Sequence, residues 1–147
     1  MARRQSAWPS TRVARVNRYR ASPLYYSMLL FHQAARCRVL PVECQAAVNV
    51  TAHAVLGDDR KLRVVLINKD LSRPVGAFVA PGSLRTKAEV IRLSAPSVTS
   101  TEDVTLAGSA VREDGTWTPQ PGEPVPCVNG RFEVSLPAAS AALLTIE

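Results

Sequence analysis

Apolar residues first recur at helical spacing and then switch to alternation, and that switch divides the chain. Over residues 23–37, PLYYSMLLFHQAARC, Leu24, Met28, Phe31 and Ala35 follow one another around a helix of about four turns. Tyr25, Leu29 and Leu30 widen that stripe well beyond a narrow seam. Ser22-Pro23 supplies an N-cap residue and then Pro at the first helical position, where a missing N–H costs nothing. So wide an apolar surface needs cover on more than one side.

Past Pro41 the period becomes two. Val48, Val50, Ala52, Ala54 and Leu56 share one face of a strand, and Asn49, Thr51 and His53 share the other. Gly57-Asp58-Asp59-Arg60 reads as a turn, and Leu62–Asn68, nearly all apolar, as a central strand, so the two make a β-hairpin. Shorter strands are predicted at Val75–Val79, 88–93 and 104–106. In the second of these, Ala88, Val90 and Arg92 oppose Glu89, Ile91 and Leu93; the pattern is ambiguous about the inward face and favours Ile91 and Leu93. From Glu113 to Gly130 four prolines (119, 121, 124, 126) each remove a ladder donor, which predicts loop and excludes a central strand. Arg131–Leu136 and Ala141–Ile146 read as a closing hairpin joined by Pro137–Ser140. The fold class predicted is all-β: an antiparallel β-sandwich of about seven to eight strands preceded by one α-helix. Three segments follow: a basic leader over 1–21, a helix over 22–38 and the sandwich over 46–147.

Charge changes this picture little. The net charge of +6 is carried wholly by Arg3, Arg4, Arg12, Arg15, Arg18 and Arg20, and the remaining residues balance. A domain that grips phosphate backbones carries its basic stripe on its own elements, so no nucleic-acid partner is expected. The leader has no apolar run of signal-peptide type, and no stretch reaches a membrane-spanning length, so no membrane partner is expected; the localisation stays open, cytoplasmic if the chain is made as given. Cys37, Cys44 and Cys127 are an odd number of thiols with no close pair, expected to be reduced and partly buried, with a Cys44–Cys127 bridge as the alternative.

Chemistry is sparse. His32 and His53 are the two histidines, and neither has Cys or carboxylate neighbours at metal-ligand spacing, so no metal and no cofactor is expected. No nucleophile motif or phosphate loop is present, and no catalytic residue is assigned. Most carboxylates fall in turns or on polar strand faces. Three residues remain as candidates for contact with a ligand or a neighbouring domain. Glu43 lies between helix and sheet, where a salt bridge or cap is the plainer role. Asn68 ends the second strand, where it can close a tight turn. Trp117 lies in the proline-rich loop without an aromatic companion.

The stretch from Ala21 to Phe31 (ASPLYYSMLLF), then Leu40–Cys44 (LPVEC), Asn49–Val55 (NVTAHAV), Leu62–Asp70 (LRVVLINKD) and Leu136–Leu144 (LPAASAALL) resembles the C-terminal part of glycoside hydrolases of the β-glucuronidase/heparanase-like family. In that family a (β/α)8 barrel carries two catalytic glutamates and a β-sandwich follows. The resemblance implies that residues 23–37 match the last barrel helix and residues 46–147 the appended sandwich. It also implies that the strands bearing both glutamates are absent here, so Glu43 inherits neither role. A strand that such sandwiches often borrow from before the barrel is absent too, which would leave one sheet edge open. The function implied is a non-catalytic accessory domain, a fragment that braces the barrel in the intact relative, with a barrel as partner if one is encoded upstream and carbohydrate as a further candidate partner. The alternatives are a subunit that completes a two-chain hydrolase and a carbohydrate-binding module. The bare helix face further predicts self-association.

Overall fold

The computed structural model describes residues 20–35 and 37–147; most of the basic leader, Trp8 and Tyr19 included, lies outside the described residues. Helix α1 (Pro23–Ala34) precedes nine strands. These are β1 (Arg38–Leu40), β2 (Val50–Leu56), β3 (Leu62–Asn68), β4 (Val75–Val79), β5 (Lys87–Ser94), β6 (Thr105–Leu106), β7 (Glu123–Val128), β8 (Arg131–Leu136) and β9 (Ser140–Ile146). Every pairing is antiparallel, in the order β1-β2-β3-β9-β5-β7-β8-β4, with β6 added beside β5. The ribbon curls so that β4 and β8 lie over β3, β9 and β5, which makes the all-β sandwich with one leading helix.

Burial explains the curl. Along β3, Leu62, Val64, Leu66 and Asn68 are all buried on one face. They meet Ala142, Leu144 and Ile146 of β9, Val90 of β5, and Phe132, Val134 and Leu136 of β8 in one core. The opposite face of the same strands is also apolar. Val65, Ile67, Ile91, Leu93, Ala141 and Leu143 pack beneath α1 and β6. β5 therefore has no single inward face, which is why its alternation was ambiguous: Val90 enters the sandwich, while Ile91 and Leu93 go under the helix.

The β2–β3 hairpin is present in register from Leu56↔Leu62 to Val50↔Asn68. The predicted closing hairpin is not. β8 pairs with β4 and β7, whereas β9 pairs with β3 and β5. Placing the two strands in opposite layers lets Phe132, Val134 and Leu136 face Ala142, Leu144 and Ile146 across the core. The hairpin here is instead β7–β8, closed by Asn129 and Gly130 at φ 51° and 73°. Two consecutive left-handed residues are what a two-residue hairpin turn of the right twist requires.

The proline-rich stretch also differs from expectation, because β7 lies inside the path. Its first four residues, Glu123–Pro126, pair only with β5, and its end, Cys127–Val128, pairs only with β8. Pro124 and Pro126 occupy alternate positions, so both lack an N–H on the same edge. That edge has no partner where the prolines sit, and the rule against proline in a doubly paired strand is not broken.

The helix begins at Pro23 as expected and stops at Ala34 rather than Cys37, with Ala35 already extended. Arg38–Leu40 is taken by pairing with β2. The buried line is Tyr26, Leu30 and Ala34, not the predicted stripe; Leu24, Met28 and Phe31 are 69%, 63% and 72% exposed. Tyr26 sets this rotation. Its ring enters the second core, and its hydroxyl oxygen accepts a hydrogen bond from the Val111 N–H at 2.9 Å.

Polar clips hold the margins. Arg92 extends from β5 to the Ser135 carbonyl of β8 and pairs with Glu123 at 3.0 Å. Arg85 donates to the carbonyls of Ile146 and Arg60. In the β2–β3 turn, Arg63 grips both oxygens of Asp59 and holds its carboxyl down at about 2. A carboxyl lowered on folding contributes stability above its unfolded pKa of about 3.9 and loses it as pH falls through the folded value. Asp59→Asn is therefore expected to flatten the pH dependence of the urea midpoint between about pH 4 and pH 2; an unchanged slope there would remove the pair from the acid response.

An apolar groove beside the helix as candidate functional site

Between α1 and the β2–β3 face runs an open groove of about 960 Å3. Leu30 and Phe31 form its helix wall, Val39 and Val42 one rim, and Leu71 and Val98 another. Phe31, Val39, Leu71 and Val98 are each largely exposed, so these apolar side chains surround a cavity rather than scatter over the surface. Among the described residues no carboxylate lines it, and His53 and Lys69 are its ionisable side chains. Leu24 and Met28 continue the apolar surface along α1. An apolar patch of this continuity marks a contact site, since single exposed hydrophobics need no explanation and a ring of them does.

The three candidate residues are not brought together. Asn68 borders the groove but is 1% exposed. Its amide donates to the carbonyls of Arg73 at 2.8 Å and Pro137 at 3.0 Å, and its Oδ1 accepts from the Asp70 N–H at 3.0 Å. Those bonds close the turn after β3 and pin the crossover from β8 to β9. Trp117 is half-buried against the helix-side core, and its Nε1–H donates to the Leu106 carbonyl at 3.1 Å. Glu43 is exposed in the loop between β1 and β2 and makes no ion pair or hydrogen bond among the described residues.

The displaced carboxyl groups all move downward: Asp59 through Arg63, Asp70 through Arg73, Asp114 through Thr116 and Glu147 through Lys61. A general acid at neutral pH needs the opposite displacement. Among the described residues no three His, Cys, Asp or Glu side chains come together to hold a metal ion. Cys37, Cys44 and Cys127 are all free thiols, with Cys44 exposed and Cys127 half-buried. Among the described residues no helix is long and apolar enough to cross a membrane.

The fold and the groove together define a β-sandwich domain with one leading helix and an apolar groove beside it. The glycosyl hydrolase family 79 C-terminal beta domain matches residues 52–143, more than half of the chain, and the chain belongs to that family. Its structure is similar to a 4-O-alpha-L-rhamnosyl-beta-D-glucuronidase from Fusarium oxysporum 12S, at 23% identity and TM-score 0.71, covering 87% of this chain and 30% of that one. It is more distantly similar to a GH51 alpha-L-arabinofuranosidase from Thermotoga petrophila RKU-1, at 19% identity and TM-score 0.51, covering 74% and 21%. A Paenibacillus polymyxa xyloglucanase of family 44 is similar at 16% identity and TM-score 0.51, covering 74% and 18%. The chain thus spans less than a third of the length of these solved structures, and at such identities the likeness concerns the fold alone. No curated protein matches the sequence.

Sequence reasoning missed Tyr26 as the helix anchor and Asn129-Gly130 as the hairpin turn. The Asn-Gly pair was a legible signal; the hydroxyl bond of Tyr26 to a residue far along the chain was not. Asn68→Ala is expected to cost about 2–3 kcal/mol, because it strands buried backbone partners. Chemical denaturation with an unchanged m-value would measure it, and a loss below a few tenths would deny Asn68 this part.

Proposed function

We propose that this chain is a non-catalytic accessory domain that braces the catalytic domain of a family 79 glycosyl hydrolase. The observation that carries this reading is the ring of exposed apolar side chains along α1 and its groove, which asks for a large apolar neighbour. The family match supports it, because a C-terminal beta domain implies further chain before it. A (β/α)8 barrel, whose outer layer is helical, is a fitting neighbour for a helix with two apolar faces. Asn68 then serves the groove indirectly, by fixing the loop on its rim. Glu43 and Trp117 carry no part of this docking.

That Asp59, Asp70, Asp114 and Glu147 are all displaced downward fits a non-catalytic role, since sugar hydrolysis by two carboxyl groups needs an acid and a base or nucleophile in register. A purified chain is expected to release no chromophore from aryl β-glucuronides or β-glucosides. Turnover above a heat-treated control would make it an enzyme in its own right. By itself the chain is expected to self-associate at tens of micromolar through the bare helix face, and Phe31→Glu to shift it toward monomer. Light scattering on both proteins decides this; a monomeric parent chain would remove self-association from the proposal.

A further inference from the structure

One short motif has no part in the groove or in any enzyme signature, and only its middle residue, Val50, packs against a core. Asn49-Val50-Thr51 is an Asn-x-Thr tripeptide with a residue other than proline in the middle, which is the acceptor pattern for N-linked sugar. The chain has four asparagines, at 17, 49, 68 and 129, and the other three are followed two residues on by Tyr19, Asp70 and Arg131. Asn49 alone therefore has the hydroxyl residue that the transfer requires.

The fold places Asn49 where a sugar can remain after folding. It sits in a bend one residue before β2 and is exposed. Its carbonyl accepts a hydrogen bond from the Lys69 N–H at 2.8 Å, which anchors the backbone. Its side chain makes no hydrogen bond among the described residues. Asn68 is the contrast within the same hairpin: buried, with its amide fully engaged. Thr51 follows at the start of the strand, paired with Ile67, so its hydroxyl is needed only while the chain is still extended. A bulky, hydrated substituent belongs on such a surface position.

We propose that Asn49 is an N-glycosylation acceptor when the chain is translated into a compartment holding oligosaccharyltransferase. The donor is a polyprenyl-diphosphate-linked oligosaccharide. A bond forms between Asn49 Nδ2 and the anomeric carbon of the first sugar, the bond from that carbon to the diphosphate oxygen breaks, the amide gives up one proton, and the polyprenyl diphosphate leaves. No oxidant or reductant is involved. The inference is independent of the groove and of the accessory role.

The test is expression of the full chain behind a cleavable secretory signal in a eukaryotic secretory host, beside a control protein of known single acceptor site. The expected result is a one-glycan increase in mass that peptide-N-glycosidase removes, with Asn49 converted to Asp in the tryptic peptide. Asn49→Gln and Thr51→Ala should abolish the increase, and Thr51→Ser should retain it. Asn49→Gln leaves the backbone carbonyl in place, so its circular dichroism should match that of the deglycosylated parent. An unshifted parent chain beside a shifted control overturns the proposal. So does a shift that survives Asn49→Gln.

Discussion

The structure depends on the two-sided burial of its central strands. β3, β9 and β5 are apolar on both faces, and a sheet of that kind has to be covered twice. β4 and β8 cover one face, with the Phe132–Leu144–Ile146 core between the layers. Helix α1 and the short β6 segment cover the other. The remaining features follow from this. β8 and β9 fall in opposite layers, the connection between them crosses the edge of the sandwich, and Asn68 is buried at that crossing to bind the carbonyls it exposes.

The helix meets this demand with only part of its surface. A sheet back presents a broad, nearly flat area, and one helix touches it along a line of residues spaced three or four apart. Tyr26, Leu30 and Ala34 fill that line. The apolar residues on either side of it, Leu24, Met28 and Phe31, then stay largely exposed among the described residues. Of these, Phe31 lines the groove whose rims are formed by Val39, Leu71 and Val98. The same arrangement thus explains how the domain holds together and why it presents a contact surface.

The electrostatics point the same way. Charged pairs sit at turns and margins: Asp59 with Arg63, Asp70 with Arg73, Glu123 with Arg92, Lys61 with Glu147, and Arg20 with Glu102. Exposed pairs of this kind contribute little each and chiefly hold loop geometry. Among the described residues the groove lacks carboxylates. Under the proposed accessory role the exposed apolar surface would be the contact surface, and the proposed acceptor Asn49 lies apart from the groove.

Much of the fold was legible in the sequence, because alternation over short distances reports burial on one face directly. The β2–β3 hairpin, the strand at Val75–Val79, the start of α1 at Pro23 and the all-β class could all be read that way. The family resemblance rested on separate stretches of sequence and agrees with the family match. What the tertiary structure decided was every choice between two apolar alternatives. Periodicity says that Ile91 and Val90 both want burial, not which layer takes each. It says that α1 is apolar nearly all round, not that a hydroxyl contact at Val111 would turn Tyr26 inward and Phe31 outward. It could not place Arg131–Leu136 and Ala141–Ile146 in opposite layers, since two adjacent apolar strands pair locally or face each other across a core with the same pattern. Nor could it allow Pro124 and Pro126 into a strand, because the side on which a strand lacks a partner exists only once the sheet is assembled.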